Sequence, residues 1–228
     1  GIDLGASAVK LLLMDEDGSI HKVVSKEYPL YFPRPGWAEQ DPEDWFAQTV
    51  EGLKELISEC EKSQVQGISF GGQVHGLVAL DEDDRVIRPA ILWNDGRSAD
   101  QTEYLNNVVG RKTLSRHTGN IAFAGFTAPK ILWMKDNEPE NFARIRKIML
   151  PKDYLAYRLS GTFCTDYSDA SGTLLLDVEH KCWSGEMLRL CGIAREQLPG
   201  LYESWEPVGT LKPEAAEELG LPEDVKII

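Results

Sequence analysis

The first residues of the chain constrain its fold most, because they contain two apolar segments joined by a glycine turn. Asp3 stands at the end of the first segment and Gly5 follows it. A strand is predicted from Val9 to Met14, a turn from Asp15 to Gly18, and another strand from Ile20 to Glu27. The chain is therefore predicted to open with a β-hairpin.

Helices are predicted mainly in the middle of the chain. The best-marked helix begins at Asp41, where an Asp cap, Pro42 and Glu43 suit the positive end of the helix dipole, and it is expected to reach about Lys62. Further helices are predicted over Ser98–Val109, Thr127–Asn137, Pro151–Leu159, Ser184–Leu190 and Pro213–Leu219. Further strands are predicted over Val65–Phe70, Val74–Leu80, Val86–Trp93 and Val225–Ile228. The pattern is that of one continuous mixed α/β domain.

Composition argues against several classes of function. The 228 residues carry 24 Lys and Arg against 37 Asp and Glu, a net charge of −13, whereas a nucleic-acid binder needs a basic face. No run of about 18 apolar residues is present, so no membrane span is expected. The four cysteines form no C-x-x-C pair and the four histidines are dispersed. Free thiols in a reducing, cytoplasmic compartment are therefore predicted, without a zinc motif.

Two glycine-containing segments carry residues suited to chemistry. In Asp3–Lys10, the N–H groups of the turn can face an anion while the acid holds Mg²⁺ through water; an ordinary tight turn is the alternative. In Gly71–Gly76, Gln73 and His75 offer donors and acceptors to the hydroxyl groups of a polyol. A histidine satisfied by the backbone at a strand corner is the alternative there.

Two further polar segments lie later in the chain. Ile91–Arg97 runs from a buried strand into Asn94, Asp95 and Arg97, and sites cluster where strands end. The alternative is a helix cap at Asp95 or Ser98 with an Arg–Asp pair on the surface. The small polar residues of Asp166–Gly172 are interpreted as capping and turning the chain.

In this order and spacing, the segments resemble the N-terminal domain of the FGGY carbohydrate kinases over essentially the whole chain. The most specific matches are Gln73-Val74-His75 and Trp93–Arg97, whereas the hairpin alone is typical of the whole actin-like ATPase superfamily. Other matching segments are Trp37–Pro42, Gly125–Lys130, Leu150–Leu155 and Ser168–Gly172. The resemblance implies an α/β, ribonuclease H-like, actin-like ATPase fold, with a mixed sheet and flanking helices. Residues 1–228 would be the sugar-binding domain, without the ATP-binding domain.

The resemblance also implies an activity. ATP-dependent phosphorylation of the ketose D-xylulose to D-xylulose 5-phosphate is favoured, with Mg²⁺ required and a homodimer as one expected state. Ribulose, glycerol and gluconate are alternative substrates, and a non-catalytic sugar-binding module is the alternative function. No nucleic-acid or membrane partner is expected.

The resemblance assigns roles residue by residue. Asp3 would lie near Mg²⁺ and the γ-phosphate, with its metal contact through water. The residues implied for phosphate are Gly5, Ser7 and Lys10. Those implied for the sugar are Val74 and His75 as contacts, with Gln73, Asn94, Asp95 and Arg97 shaping or lining the pocket.

The sequence departs from the family pattern in three respects. Ala6 stands where the family usually has Thr, so one hydroxyl donor is missing and Ser7 would substitute; Val74 stands where Met is frequent. The family's catalytic base, an Asp in a glycine-rich loop, would follow Ile228. The chain is therefore expected to be a fragment with little kinase activity and an apolar cleft surface prone to aggregation.

Overall fold

A computed structural model describes all residues from 1 to 228. The strands are β1 (Ile2–Leu4), β2 (Ala8–Met14), β3 (Ile20–Glu27), β4 (Glu39–Gln40), β5 (Gly67–Ile68), β6 (Phe70–Gly72), β7 (Val78–Leu80), β8 (Ala90–Ile91), β9 (Lys147–Met149), β10 (Cys164–Asp166), β11 (Leu176–Asp177), β12 (Cys182–Trp183), β13 (Gly200–Tyr202), β14 (Gly209–Thr210) and β15 (Lys226–Ile227). The helices are α1 (Pro42–Leu56), α2 (Ala99–Glu103), α3 (Arg111–Thr118), α4 (Thr127–Asn137), α5 (Pro139–Arg144), α6 (Pro151–Ser160), α7 (Tyr167–Ser171), α8 (Gly185–Cys191) and α9 (Pro213–Leu219).

The predicted hairpin is confirmed and forms part of a mixed central sheet. β3, β2 and β1 are antiparallel neighbours, and β6 runs parallel to β1 on its other side. Only Ser69 separates β5 from β6, and β15 runs parallel to β5. β14, β15 and β5 form a separate three-stranded sheet, in which β14 and β15 are antiparallel, next to the central sheet. Smaller two-stranded pairs, including β4–β8 and β7–β9, surround it.

The apolar side chains form two hydrophobic clusters. The first, of 30 buried residues, lies between the central sheet and helices α1, α6 and α9, with Trp45 and Tyr154 fully buried in it. The second, of 23 buried residues, surrounds α4 and includes Ile131, Met134 and Leu188. Because β6 belongs to the first cluster's layer and α4 to the second, the segment that follows β6 lies where the two clusters meet.

Most predicted helices are confirmed. Asp41 caps α1, since its side chain accepts a hydrogen bond from the N–H of Glu43 at 2.9 Å. The prediction that α1 reaches about Lys62 is wrong: the helix ends at Leu56, and a 3₁₀ turn forms at Lys62–Gln64. The Ser58 hydroxyl donates a hydrogen bond to the Glu55 carbonyl at 2.8 Å. At this carbonyl a side chain therefore competes with the backbone hydrogen bonds of the helix. Helices α4, α6, α8 and α9 lie within one residue of their predicted bounds.

Other predicted elements differ in extent. The strand predicted over Val74–Leu80 is wrong in its first half, because His75 has φ of 64° and only β7 remains. The strand predicted over Val86–Trp93 shrinks to β8, which begins after Pro89, a residue without an N–H donor. The helix predicted over Ser98–Val109 is α2 followed by a π-helical segment at Tyr104–Gly110. Other elements of the structure had no counterpart among the predictions; they are α3, α5, α7, β4 and β9 to β14.

All four cysteines are unpaired. None of the helices combines the length and apolar character needed to cross a bilayer.

Candidate active site

The hairpin formed by β1 and β2 presents its polar residues on an open edge. Asp3 lies opposite Lys10 on β2 and beside Gly71 on β6, and both charged side chains are exposed, as is Ser7. Gly5 does not have positive φ; it allows close packing instead, because a Cβ there would lie 2.9 Å from the Ala8 carbonyl oxygen. The turn between the strands is therefore tight and open to a ligand from outside.

Tyr28 fixes this turn from the side. Its hydroxyl donates a hydrogen bond to the carbonyl of Gly5, and the residue is buried. Burial raises the pKa of Tyr28, and the negative charge of Asp3 raises it further. The phenol therefore stays protonated and remains a donor. No local pattern points to this role, since Tyr28 only follows a predicted strand.

Gln40 connects the hairpin to the segment after β6. Its amide nitrogen donates to the Ala6 carbonyl at 2.8 Å, while its amide oxygen accepts from Gln73 at 2.9 Å and from the indole of Trp45 at 3.1 Å. The N–H of Gln73 also donates to the Leu4 carbonyl at 2.7 Å. Gln40 is fully buried, and its contacts with Ala6 and Gln73 hold the turn between β1 and β2 beside the Gln73 segment.

The motif Gln73-Val74-His75 lies in the turn after β6. Val74 is 37% exposed. Two buried polar atoms of the motif, Oε1 of Gln73 and Nδ1 of His75, have no hydrogen-bond partner in the protein. A backbone hydrogen bond at Gly172 also acts on the His75 ring, so a histidine satisfied by the backbone stays the alternative. Buried polar atoms are normally paired, so these two leave capacity for a polar ligand.

The imidazole of His75 is held between two neighbouring segments. Its ring centroid lies 4.7 Å from that of Phe126. On another side lies Gly172, where a Cβ would approach Cε1 of the ring to 2.2 Å. Burial lowers the pKa of His75 to about 4, and the positive charge of Lys130 lowers it further. The ring is therefore neutral at pH 7 and can both donate and accept.

Asp95 is buried rather than exposed. Its side chain accepts hydrogen bonds from the Ala38 N–H at 2.6 Å and from the guanidinium of Arg97 at 2.8 and 2.9 Å. The predicted surface Arg–Asp pair is wrong in its location, because both side chains are fully buried. Within this segment Asn94 is exposed, and Trp93 is 46% exposed.

Arg97 is enclosed by aromatic rings and carboxylates. Its guanidinium lies 3.8 Å from the ring centroid of Trp37 and 5.0 Å from that of Trp133, and it pairs with Glu39 at 2.7 Å. The Ser98 hydroxyl donates to the Ala124 carbonyl at 3.1 Å and does not cap α2. Asp95 and Arg97 therefore shape the segment from inside, while Asn94 faces outward.

A buried ion cluster lies behind β6. The Lys152 ammonium pairs with Asp153 at 2.8 Å and with Asp166 and Asp169 at 3.3 Å each. Burial by itself lowers the pKa of Lys152, but the three carboxylates together raise it. Asp166 also caps α7, as the interpretation of Asp166–Gly172 predicted, by accepting from the Asp169 N–H at 2.7 Å. The pairing with Lys152 was not predicted.

Comparison with known proteins identifies the family. A model of the N-terminal domain of the FGGY family of carbohydrate kinases matches residues 1–228. This chain belongs to the FGGY family of carbohydrate kinases. A xylulose kinase of Escherichia coli strain K12 is 44% identical over 221 residues, which are 97% of this chain and 45% of that protein. The chain spans about half the length of the curated relatives it matches.

Solved structures give the same architecture for this FGGY chain. A structure described as a xyloylose kinase from Brucella ovis has a TM-score of 0.95 and 42% identity, over 100% of this chain and 47% of that one. A gluconate kinase from Lactobacillus acidophilus also has a TM-score of 0.95, with 31% identity, over 100% of this chain and 46% of that one. The α/β, actin-like ATPase fold implied by the resemblance is thereby confirmed.

The predicted site residues of this FGGY chain fall into three groups. Exposed at the hairpin are Asp3, Ser7 and Lys10, with Gly5 in the turn. The turn after β6 holds Gln73, Val74 and His75, and Asn94 is exposed on a separate segment. Asp95 and Arg97 are internal. Tyr28, Gln40 and Lys152 were not among the predicted site residues. Gln40 and Lys152 lie within the matched segments Trp37–Pro42 and Leu150–Leu155, whereas no such signal pointed to Tyr28.

Proposed function

We propose that residues 1–228 form the sugar-binding part of an ATP-dependent kinase that converts D-xylulose to D-xylulose 5-phosphate. The observation that carries the proposal is the pair of unpartnered polar atoms on Gln73 and His75, beside the hairpin that carries Asp3. The 44% identity to a xylulose kinase over nearly the whole chain supports this choice of sugar.

The sugar is bound by the turn after β6. The neutral imidazole of His75 and the amide oxygen of Gln73 hydrogen-bond to hydroxyl groups, because each has a free polar atom. The exposed Val74 packs against the carbon face of the ketose, and Asn94 contributes from the edge. Asp95 and Arg97 act indirectly, through the segment they hold.

The nucleotide phosphates are bound by the hairpin. The N–H groups around Gly5, the Ser7 hydroxyl and the exposed Lys10 ammonium suit an anion. Asp3 fits a Mg²⁺ role, because its carboxylate is exposed at the edge of the hairpin, beside Gly71. Mg²⁺ usually keeps several waters and takes one or two carboxylates together with substrate phosphates. When bound, it neutralises charge on the transferred phosphoryl group.

The chemical step transfers one phosphoryl group. The primary hydroxyl oxygen of the ketose bonds to the γ-phosphorus of ATP, its proton passes to a general base, and the bond to the β–γ bridging oxygen breaks. We place that base, an Asp, and the ATP-binding domain outside residues 1–228. Residues of this chain hold the sugar and exclude water from the phosphoryl group as the domains close.

The test is a substrate panel on the full-length protein, with ADP release as the readout. We expect the highest kcat/KM for D-xylulose among D-xylulose, D-ribulose, glycerol and D-gluconate. Gluconate is the second candidate, because a gluconate kinase matches the fold with a TM-score of 0.95. A tenfold preference for another polyol would overturn the substrate, and sugar binding without ADP release would favour the non-catalytic module.

Cellular context follows from the same chemistry. We infer a cytoplasmic protein, because its four cysteines are free thiols and ATP is its phosphoryl donor. A homodimer stays a prediction. Light scattering tests it by measuring the molar mass of the full-length protein in solution.

A further inference from the structure

Lys130 is a buried cation that packing does not explain. It lies in the first turn of α4 with no exposed surface, and both hydrogen-bond partners of its ammonium are backbone carbonyls, not carboxylates. A buried ammonium without a counter-ion is costly, and the positive end of a helix dipole makes the site less favourable. An apolar side chain of similar length would fill the same space. The charge or the N–H donors of Lys130 therefore serve a purpose other than packing.

The N–H donors of Lys130 join two segments of the sugar site. The ammonium donates to the His75 carbonyl at 3.0 Å and also to the Gly125 carbonyl. Thr127, from the same helix turn, donates to the His75 carbonyl at 3.2 Å. The helix offers the Gly125 carbonyl no donor four residues later, since Pro129 has no N–H.

The conformation of His75 needs such support. Its φ of 64° lies in the left-handed region, which side chains other than glycine rarely adopt unless their surroundings impose it. Holding its carbonyl fixes the peptide plane that follows and thereby the direction of the imidazole. The Gly125 carbonyl lies next to Phe126, whose ring contacts the same imidazole.

We propose that Lys130 is a positioning residue for the sugar site, which ties the His75 turn to the Gly125 segment and so aims the imidazole at the sugar. The inference rests on the proposed function, in which His75 contacts the ketose. Burial lowers the pKa of Lys130 to about 7, although the nearby Asp95 opposes this shift. Both protonation states keep N–H donors, so the tie persists on either side of neutrality.

Kinetics of the full-length protein provide the first test. We expect Lys130→Met to raise the KM for D-xylulose about tenfold, because a small displacement of a binding group weakens the productive pose, and to leave the KM for ATP within about twofold. Lys135→Met, on the exposed face of the same helix, is the matched control and should behave like wild type. An unchanged sugar KM in a folded Lys130→Met variant would overturn the inference.

A milder variant covers the case in which Lys130→Met does not fold. Thr127→Val keeps the shape of the side chain and removes one of the two named side-chain donors to the His75 carbonyl. It should raise the sugar KM about threefold and leave the ATP KM unchanged. Wild-type values for both substrates in this variant would contradict the proposed tie.

Nuclear magnetic resonance of histidine-labelled full-length protein separates this inference from the proposed function. The His75 ring signal is identified by its loss in His75→Gln. In Lys130→Met that signal should move and titrate at higher pH, because the repelling ammonium is gone; in Lys135→Met it should not. If wild type phosphorylates no sugar, the proposed function fails, and an unmoved His75 signal still overturns the inference by itself.

Discussion

At the residue scale, the charge state of His75 determines what the candidate site can recognise. Burial and the neighbouring Lys130 keep the imidazole neutral, since they lower the pKa of His75 to about 4. A neutral ring with an unpartnered Nδ1 suits a hydroxyl group, whereas a charged ring would favour a carboxylate. The lowered pKa of His75 also makes the stability of the protein sensitive to acid.

The free energy of unfolding should fall between pH 6.5 and pH 4. The imidazole of His75 binds its proton less tightly in the folded state than in the unfolded state, where its pKa is the ordinary 6.5. Stability therefore declines as pH drops from 6.5 towards 4. We expect His75 to account for about 2 kcal/mol of the loss. Denaturant unfolding at pH 7 and pH 4.5 should therefore show a smaller pH effect in His75→Gln.

His21→Gln is the matched control for that measurement. His21 lies on an exposed face and pairs with Asp15 at 2.7 Å. His21→Gln should leave the loss of stability between pH 6.5 and pH 4 unchanged. An identical pH dependence for wild type and His75→Gln would contradict the account of the buried imidazole.

The space beside His75 is set by a single glycine. A Cβ at position 172 would lie 2.2 Å from Cε1 of the imidazole, so Gly172→Ala forces the ring to move. We expect a rise of about tenfold in the KM for the sugar and little change in that for ATP. Gly185→Ala is the control, because a Cβ there meets nothing within 4 Å. Equal sugar KM values for the two variants would count against the predicted position of the ring.

At the element scale, Gln40 ties the hairpin turn to the segment after β6. Gln40→Leu removes its hydrogen bonds to Ala6, Gln73 and Trp45 and leaves buried partners unsatisfied. We expect a loss of about 2 kcal/mol in the free energy of unfolding. Chemical denaturation gives this value, with Gln64→Leu at an exposed position as control. Wild-type stability in Gln40→Leu would mean that the bonds do not hold the two elements together.

Helices α6 and α7 are joined by the cluster around Lys152. Lys152→Met leaves Asp153, Asp166 and Asp169 without their shared cation, and breaking a buried ion pair typically costs about 3 to 5 kcal/mol. We expect a destabilisation of about 3 kcal/mol in denaturant unfolding, against almost none for the exposed Lys112→Met. Equal unfolding midpoints for these two lysine variants would refute a structural role for the cluster.

The sequence predicts elements well where the signal is local. The start of α1 follows from Asp41 and Pro42, whose cap and fixed φ act over a few residues. The break at His75 is not predictable in this way, because contacts with distant residues impose its left-handed backbone. The enclosure of Arg97 depends on Trp133, which only the folded chain brings close.

At the scale of the whole molecule, the candidate site lies where two layers meet. The hairpin and β6 belong to the central sheet, while α4 and the Gly125 segment belong to the second cluster. Positions such as Gln73 and His75 could be selected from sequence because their motif is compact. Lys130 and Gln40 could not be assigned roles, since each acts through partners far away in the chain. The low activity expected of residues 1–228 alone stays a prediction.

A crystal structure of the full-length protein with D-xylulose would show directly whether Gln73 and His75 bind the sugar. We expect ketose hydroxyl oxygens within about 3.2 Å of the imidazole of His75 and of the amide oxygen of Gln73. The exposed Val74 should contact the carbon face of the sugar. Well-defined sugar density bound elsewhere, with both of these polar atoms still unpartnered, would contradict it.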